Sequence, residues 1–360
     1  MKKLLFITDL FKNKNHNAIE GIFNGYLKEF FEIDLIFFDQ KAKDIDKIQN
    51  KIIFPYKLKN RIRKNLNKKY DIVIVRNRFD ILKQFLENKD YKLGFQLSFP
   101  HTFRRYYEAK ITKKALFRKK IEFEIKDFLQ KRDLKKCDFF LPISESMYNI
   151  FYYDLKIPYF PLPLGIDPKN EIEKKPKKEK TLKFIYIGTI DRLREFETIF
   201  KAFLEIKGDF ILEIYTPNFK YANNILNNLT KNQKKIKIYP PIEREKLLKK
   251  LPLYDVGISL IPESILYLIS SPTKIMEYYE AKIPSLMSKI PECMEIFCDK
   301  DDGWICNFNK DEIKKKIKEI LPTPKEEISN MGERGFKKLL LKRNYQKISQ
   351  EFYQFILNLP

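Results

Sequence analysis

The sequence predicts two doubly wound α/β domains, each built on a parallel sheet. Short apolar runs recur at intervals that leave room for a helix between them, the pattern of strands joined by crossover helices. The alternation occurs twice, on either side of GIDPKNEIEKKPKKEKTL, Gly165 to Leu182, a polar, lysine-rich, proline-bearing stretch. A chain of 360 residues also has the length of two ordinary domains, and its 44% hydrophobic residues can fill two cores.

The elements follow in order. KKLLFITDLF from Lys2 and EIDLIFFDQ from Glu32 read as buried strands, and NAIEGIFNGYLKEFF from Asn17 as the helix between them. YDIVIVRNRF from Tyr70, YKLGFQLSF from Tyr91 and CDFFLPIS from Cys137 continue the strand series. After the polar stretch, KFIYIG, DFILEIYT, KKIKIYPP, YDVGISLIP and IPSLMS read as strands. Helices are expected from about Phe196, Tyr221, Glu245, Pro272 and Lys310, and a last amphipathic helix from Asn344 to Leu357. The expected boundaries are a first domain at 1–168, a linker at 169–182 and a second domain at 183–343. The 344–360 tail should pack back toward the first domain.

Composition excludes several classes. No run of 18 apolar residues is present, so no spanning helix is expected. MKKLLFITDLFKNKNHN starts like a signal peptide, but Asp9 and Lys12 interrupt its apolar part, so it reads as a strand. Cys137, Cys293, Cys298 and Cys306 form no CxxC pair and only two histidines accompany them. That argues against zinc and for a reduced, cytosolic protein. The net charge of +23 comes mostly from lysine, in company with many Asn, Ile, Phe and Tyr and only 10 Gly. Such usage is what AT-rich coding produces, so the charge is weak evidence for nucleic acid. It still attracts phosphates and anionic membrane surfaces.

In doubly wound sheets ligands bind beyond the carboxyl ends of the strands. Three places there carry useful chemistry. Gly188 ends KFIYIG, and Arg192 and Arg194 follow in the loop; guanidinium forks suit a diphosphate, and a solvated basic loop is the plain alternative. His101, in LSFPHTFRR, can exchange a proton or donate to a sugar, or be structural. SSPTKIMEYYEAKIPSL places Ser270 or Ser271 as N-cap, Pro272 at the first helical position, Thr273 and Lys274 in the first turn and Glu277 a turn later. A helix start of this kind suits an anion, or is merely capped.

These segments, in this order, resemble GT-B glycosyltransferases of the retaining family 4 type, the glycosyl transferases group 1. The matching pieces are YIGTIDRLREFETIFKAF, YDVGISLIP, SPTKIMEYYEAKIPSL, GWICNFNKDEI and, in the first half, LPISESM followed by LPLGID. The resemblance covers most of the second half and is thinner in the first. It implies a GT-B fold, two Rossmann-like domains facing a cleft, and transfer from a nucleotide-diphosphate-sugar with retention. Glu277 stands where the family's ribose-binding Glu lies, but Ile269 stands where its first Glu is expected. Thr189 takes the family's Arg position and Arg194 its Lys position, with Arg192 as replacement charge. His101 corresponds to the family histidine near the donor sugar. The glycine-rich loop after the first strand is missing; Glu20 and Gly21 are the nearest match.

On this resemblance His101, Arg192 and Arg194 take part in the transfer chemistry. Gly188, Ser271, Thr273, Lys274 and Glu277 hold the donor. No Asp-x-Asp ends a strand, so no metal and no cofactor beyond the donor substrate are expected. The expected partners are a nucleotide-sugar donor, a glycan or lipid-linked acceptor of cell-surface polysaccharide or glycolipid synthesis, and an anionic membrane surface, without nucleic acid. Phe103 to Lys136 is basic, aromatic and helical in period, with Phe103, Tyr106, Tyr107 and Phe117 among Lys and Arg. It reads as an interfacial helix on anionic lipid, or as a solvated helix packed on its own domain. The expected location is the cytoplasm, with peripheral contact to the inner face of the plasma membrane. Rival readings are a GT-B-like sugar-nucleotide epimerase and a basic nucleic-acid-binding protein.

Overall fold

The computed structural model describes residues 1–14, 16–169, 180–231 and 234–360. The chain divides into two compact units. The first holds Met1–Asp167, Ile269–Ser271 and Arg343–Pro360; the second holds Pro168–Leu268 and Pro272–Lys342. Most of the expected linker, residues 170–179, lies outside the described residues.

The strands of the first unit are β1 (Lys2–Phe11), β2 (Phe31–Asp39), β3 (Asp46–Ile48), β4 (Lys51–Pro55), β5 (Ile72–Arg76), β6 (Lys92–Leu97) and β7 (Phe139–Pro142). They form one sheet in the order β3-β4-β2-β1-β5-β6-β7. All pairs are parallel except β3 with β4. Leu4, Leu5, Phe6 and Ile7 of β1 are fully buried. A central parallel strand is covered on both faces, so its apolar run is continuous rather than alternating.

The second unit contains β8 (Leu182–Ile187), β9 (Phe210–Tyr215), β10 (Ile236–Tyr239), β11 (Val256–Ser259), β12 (Ser285–Ser288) and β13 (Trp304–Cys306). Their order is β10-β9-β8-β11-β12-β13, every pair parallel. The strand order therefore reverses between β8 and β11, and in the first unit between β1 and β5. Those reversals are where crossover helices leave to opposite faces and a crevice opens at the strand ends. Helix Phe196–Leu204 packs Ile199, Phe200 and Phe203 on one face of this sheet.

Three expectations change. The helix expected from Asn17 is broken into short turns at Ile19–Phe23 and Tyr26–Glu29. Gly21 and Gly25 interrupt it: glycine is a poor helix former, and both stand where a side chain would strike the Tyr345 ring or the Gly21 carbonyl. The Phe103–Lys136 segment is two helices, His101–Thr112 and Leu116–Leu134, because Lys113 (φ 53°) and Ala115 (φ 49°) adopt left-handed backbone between them. The helix after Pro272 runs from Thr273 to Glu280 with Pro272 itself, extended at ψ 112°, in the capping position. Neither Ser270 nor Ser271 is its N-cap. The Ser271 hydroxyl instead accepts from the Leu164 amide, 3.3 Å away in the first unit.

The C-terminal helix, Tyr345–Leu357, belongs to the first unit. The Asn344 side chain caps it by accepting from the Lys347 amide at 2.7 Å. Phe352 is buried there, and Tyr353 stacks on Phe30 at 4.4 Å.

Candidate active site

Tyr278 fixes the helix Thr273–Glu280 over the crevice of the second unit. Its hydroxyl accepts from the Ile187 amide at 3.1 Å and lies 3.3 Å from the carbonyls of Ile185 and Ile258, so it grips both β8 and β11. Gly257 makes this possible: a Cβ there would stand 2.3 Å from the Tyr278 ring. Lys274 lies one turn before Tyr278 on the same helix face, so it also points at the strand ends.

Gly188 closes β8 with φ 131°, backbone that a side chain would strain. Its position for a Cβ lies 3.8 Å from both Cε and Nζ of Lys274. The Lys274 ammonium is buried and has no hydrogen-bond partner among the described residues. It rests 4.0 Å from the centroid of the Tyr186 ring. Burial, then the nearby Arg194 charge, holds its pKa well below the usual lysine value, with Glu277 opposing.

Arg194 belongs to a single 3-10 turn, Arg192–Arg194, capped by Asp191, whose carboxylate accepts from the Arg194 amide at 3.1 Å. Its guanidinium lies over the Tyr267 ring at 5.5 Å, and its Nε is buried without a hydrogen-bond partner among the described residues. Arg192, two residues earlier on so tight a turn, is exposed. Thr273 is exposed at the first turn of the helix.

Glu277 is 9% exposed. Burial raises its carboxyl pKa, while Arg244 and Lys274 pull it down. Arg244 Nε donates to Glu277 Oε1 at 3.3 Å, and its Nη2 stands 4.0 Å from Glu280 Oε2. Arg244 escaped the sequence reading. It is one basic residue among 71, in IEREKLLKK, and nothing local marks it. The second unit thus groups Gly188, Arg194 and Lys274, with Glu277 and Arg244 adjoining.

His101 lies in the first unit, at the start of helix His101–Thr112. Its half-exposed ring edges Phe99 at 5.2 Å and borders a cavity of about 410 Å³ that Asn77, Phe103, Arg105, Asp127 and Gln130 also line. Partial burial lowers its pKa, with Asp9 opposing. Next to it, at the β1–β5 reversal, is a polar group absent from the sequence reading. Buried Arg76 pairs with Asp9, reaches His16 Nε2 at 3.1 Å and Ser98 Oγ at 3.3 Å. Asn77 donates to Asp9 at 2.9 Å and to Ser98 at 2.8 Å. Burial, then Arg76, lowers the His16 pKa to about 4.

Cys298, Asp301 and Asp302 stand close enough to share a cation. Lys338 pairs with both carboxylates and Arg334 reaches Asp301 at 3.2 Å, so ion pairs already balance that charge. No helix among the described residues is long and apolar enough to cross a membrane.

Chemically, the second-unit group has the parts an anion site uses: two basic side chains, a glycine that clears space, a helix start and a carboxylate a turn away. Among curated proteins none matches this chain. Solved structures do. Sucrose-phosphate synthase from Thermosynechococcus elongatus matches with a TM-score of 0.73 at 11% identity, over 99% of each chain. Anabaena HepE, in complex with UDP and glucose, matches with 0.71 at 9% identity over 100% of each. A glycosyltransferase from Rickettsia africae matches with 0.64 at 15% identity over 100% of each. Residues 167–338 match the family model of the glycosyl transferases group 1. The architecture of two parallel-sheet domains is the GT-B fold, residues 167–338 are similar to the glycosyl transferases group 1, and the chain is a transferase enzyme.

Proposed function

We propose that this enzyme moves a sugar from a nucleotide-diphosphate-sugar to a glycan or lipid-linked acceptor in cell-surface polysaccharide or glycolipid synthesis, with retention and without a metal. The observation that carries the reading is the Lys274 ammonium, buried without a hydrogen-bond partner among the described residues, beside Arg194 and Gly188. A buried, unpaired cation costs stability in the free protein. An anionic ligand that pairs with it recovers that cost. In this reading Lys274 and Arg194 bind the donor diphosphate and stabilise it as the leaving group, with Arg192 closing from solvent. Backbone N–H groups at Ser271 and Thr273 add to the cradle, and Glu277, oriented by Arg244, accepts from the ribose hydroxyls. On the family resemblance, His101 acts on the donor sugar. HepE, a structural neighbour, was solved with UDP and glucose, which supports the donor class.

The enzyme would work in the cytoplasm, on an inner membrane face where its acceptor is lipid-linked, with nucleic acid playing no part. A thermal-shift screen of UDP, GDP and dTDP and their sugars tests the donor reading. One nucleotide series should raise the melting temperature of the parent chain and leave Lys274→Met unmoved. Equal shifts in both, or none with any nucleotide, would refute it.

A further inference from the structure

We infer that the helical hairpin His101–Lys135 seats this enzyme on an anionic bilayer through a stripe that the structure leaves uncovered. The hairpin legs run in opposite senses: Thr102 bonds Gln130, while Tyr106 stacks on Phe123 at 5.3 Å. Phe103 packs inward on Phe123 at 5.6 Å and on Phe151 at 5.0 Å. Of the four aromatic residues the sequence offered as lipid anchors, Phe103, Tyr106 and Tyr107 are spent on ring contacts within the domain, and Phe117 alone faces outward.

The outer side of helix Leu116–Leu134 is different. Phe117 is 77% exposed, Ile121 41%, Ile125 55% and Phe128 69%. Their spacings of four, four and three residues put them within about 80° of arc, one continuous apolar stripe. An exposed, ordered stripe of large apolar side chains on a basic helix marks an interaction surface.

The charge pattern selects the occupant. From Ala109 to Ile121 the chain carries six Lys or Arg and no acid, while Glu122, Glu124 and Asp127 follow around Ile125 and Phe128, so the positive fringe lies at the bend end of the stripe. Lys110, Lys113, Lys114, Arg118 and Lys120 are exposed, and so are Ile111 and Leu116 at the bend. Apolar side chains fringed by cations fit the boundary between acyl chains and anionic headgroups. The opposite side of the same hairpin, through Phe103, Phe123, Asp127 and Gln130, walls the 410 Å³ cavity beside His101. A bilayer under the stripe therefore lies about one helix diameter, on the order of 10 Å, from that cavity. If the glycosyl-transfer reading above holds, an acceptor tethered to lipid reaches the cavity without leaving the membrane.

The test is co-sedimentation of the full chain with phosphatidylcholine vesicles, with and without roughly one third phosphatidylglycerol. The parent chain should bind only the anionic vesicles and release as salt rises. Phe117→Ser with Phe128→Ser should lower that binding about tenfold or more, as should Lys113→Glu with Lys114→Glu. Both variants should melt like the parent and keep the UDP-induced thermal shift, which separates this proposal from the donor reading. Binding indifferent to acidic lipid overturns it, as does equal binding by parent and Phe variant. So does concentration-dependent self-association of the parent that the Phe variant lacks, which would make the stripe a contact between copies.

Discussion

The Lys274 ammonium lies 4.0 Å from the centroid of the Tyr186 ring, at the end of β8. The ring face offers part of what water would have supplied, on the order of 0.5–2 kcal/mol. It offers no hydrogen-bond acceptor to any of the three ammonium protons. The cation is held in place and left unsatisfied.

Lys274→Met keeps the length of the side chain and removes the buried charge. The ligand-free variant should be more stable than the parent by about 1–2 kcal/mol, because no unpaired ammonium is buried on folding. It should also lose the thermal shift that UDP produces. Scanning calorimetry with and without UDP checks both. A variant that melts lower and still responds to UDP would make Lys274 a structural residue.

Arg192 and Arg194 should separate. Arg194 has a buried Nε and stands close enough to depress Lys274, whereas Arg192 is exposed. Arg194→Ala should weaken UDP binding by about 2–3 kcal/mol, the scale of a charge-assisted bond in a shielded place. Arg192→Ala should cost under about 1 kcal/mol, as exposed pairs do. Isothermal titration of both variants decides it. Equal losses would mean that the turn rearranges on binding.

Glu277 has a carboxyl pKa raised by burial. The folded state therefore holds the Glu277 proton more tightly than the unfolded chain does. Its contribution to stability is largest below the usual carboxylate range and declines as pH rises through the raised value. Glu277→Gln should abolish that decline and match or exceed the parent melting temperature at neutral pH. Donor affinity or turnover should fall about tenfold, the scale of one charged hydrogen bond. A variant that transfers sugar at the parent rate would remove Glu277 from the site.

His16 shifts the other way. Its folded pKa of about 4 lies below the 6.5 of the free side chain. Between those values the unfolded chain binds the proton and the folded one does not. Stability should therefore fall as pH drops from about 6.5 to about 4, by at most about 3 kcal/mol from this residue. His16→Gln should flatten the slope in chemical denaturation across that window. An unchanged slope would show that the Asp9–Arg76–His16 group does not bury a neutral imidazole.

What this chain's sequence determined by itself is its local periodicity. The runs LLFI, IVIV and FIYI are strands because central parallel strands are covered on both faces and favour apolar side chains along most of their length. The amphipathic spacing of Tyr345–Leu357 and its Asn344 cap are likewise local. The edge pair β3 and β4 and the short β13 were missed, being too brief or too polar to show a period. Gly188, Arg194, Lys274 and Glu277 were visible because strand ends and helix starts are punctuated in the sequence. Their standing relative to one another was not. The cap went to Pro272, because Ser271 is held by the Leu164 amide more than a hundred residues away in sequence. Arg244 reaches Glu277 across 33 residues, and Arg76 gathers Asp9 and His16 from the end of β1 and the loop after it, and Ser98 from the end of β6. The outward turn of Phe117 and Phe128, and the inward turn of Phe103 and Tyr106, depend on which helix face the domain covers. Such contacts join residues distant in the chain, and only tertiary packing sets them, since periodicity specifies a face without specifying what meets it.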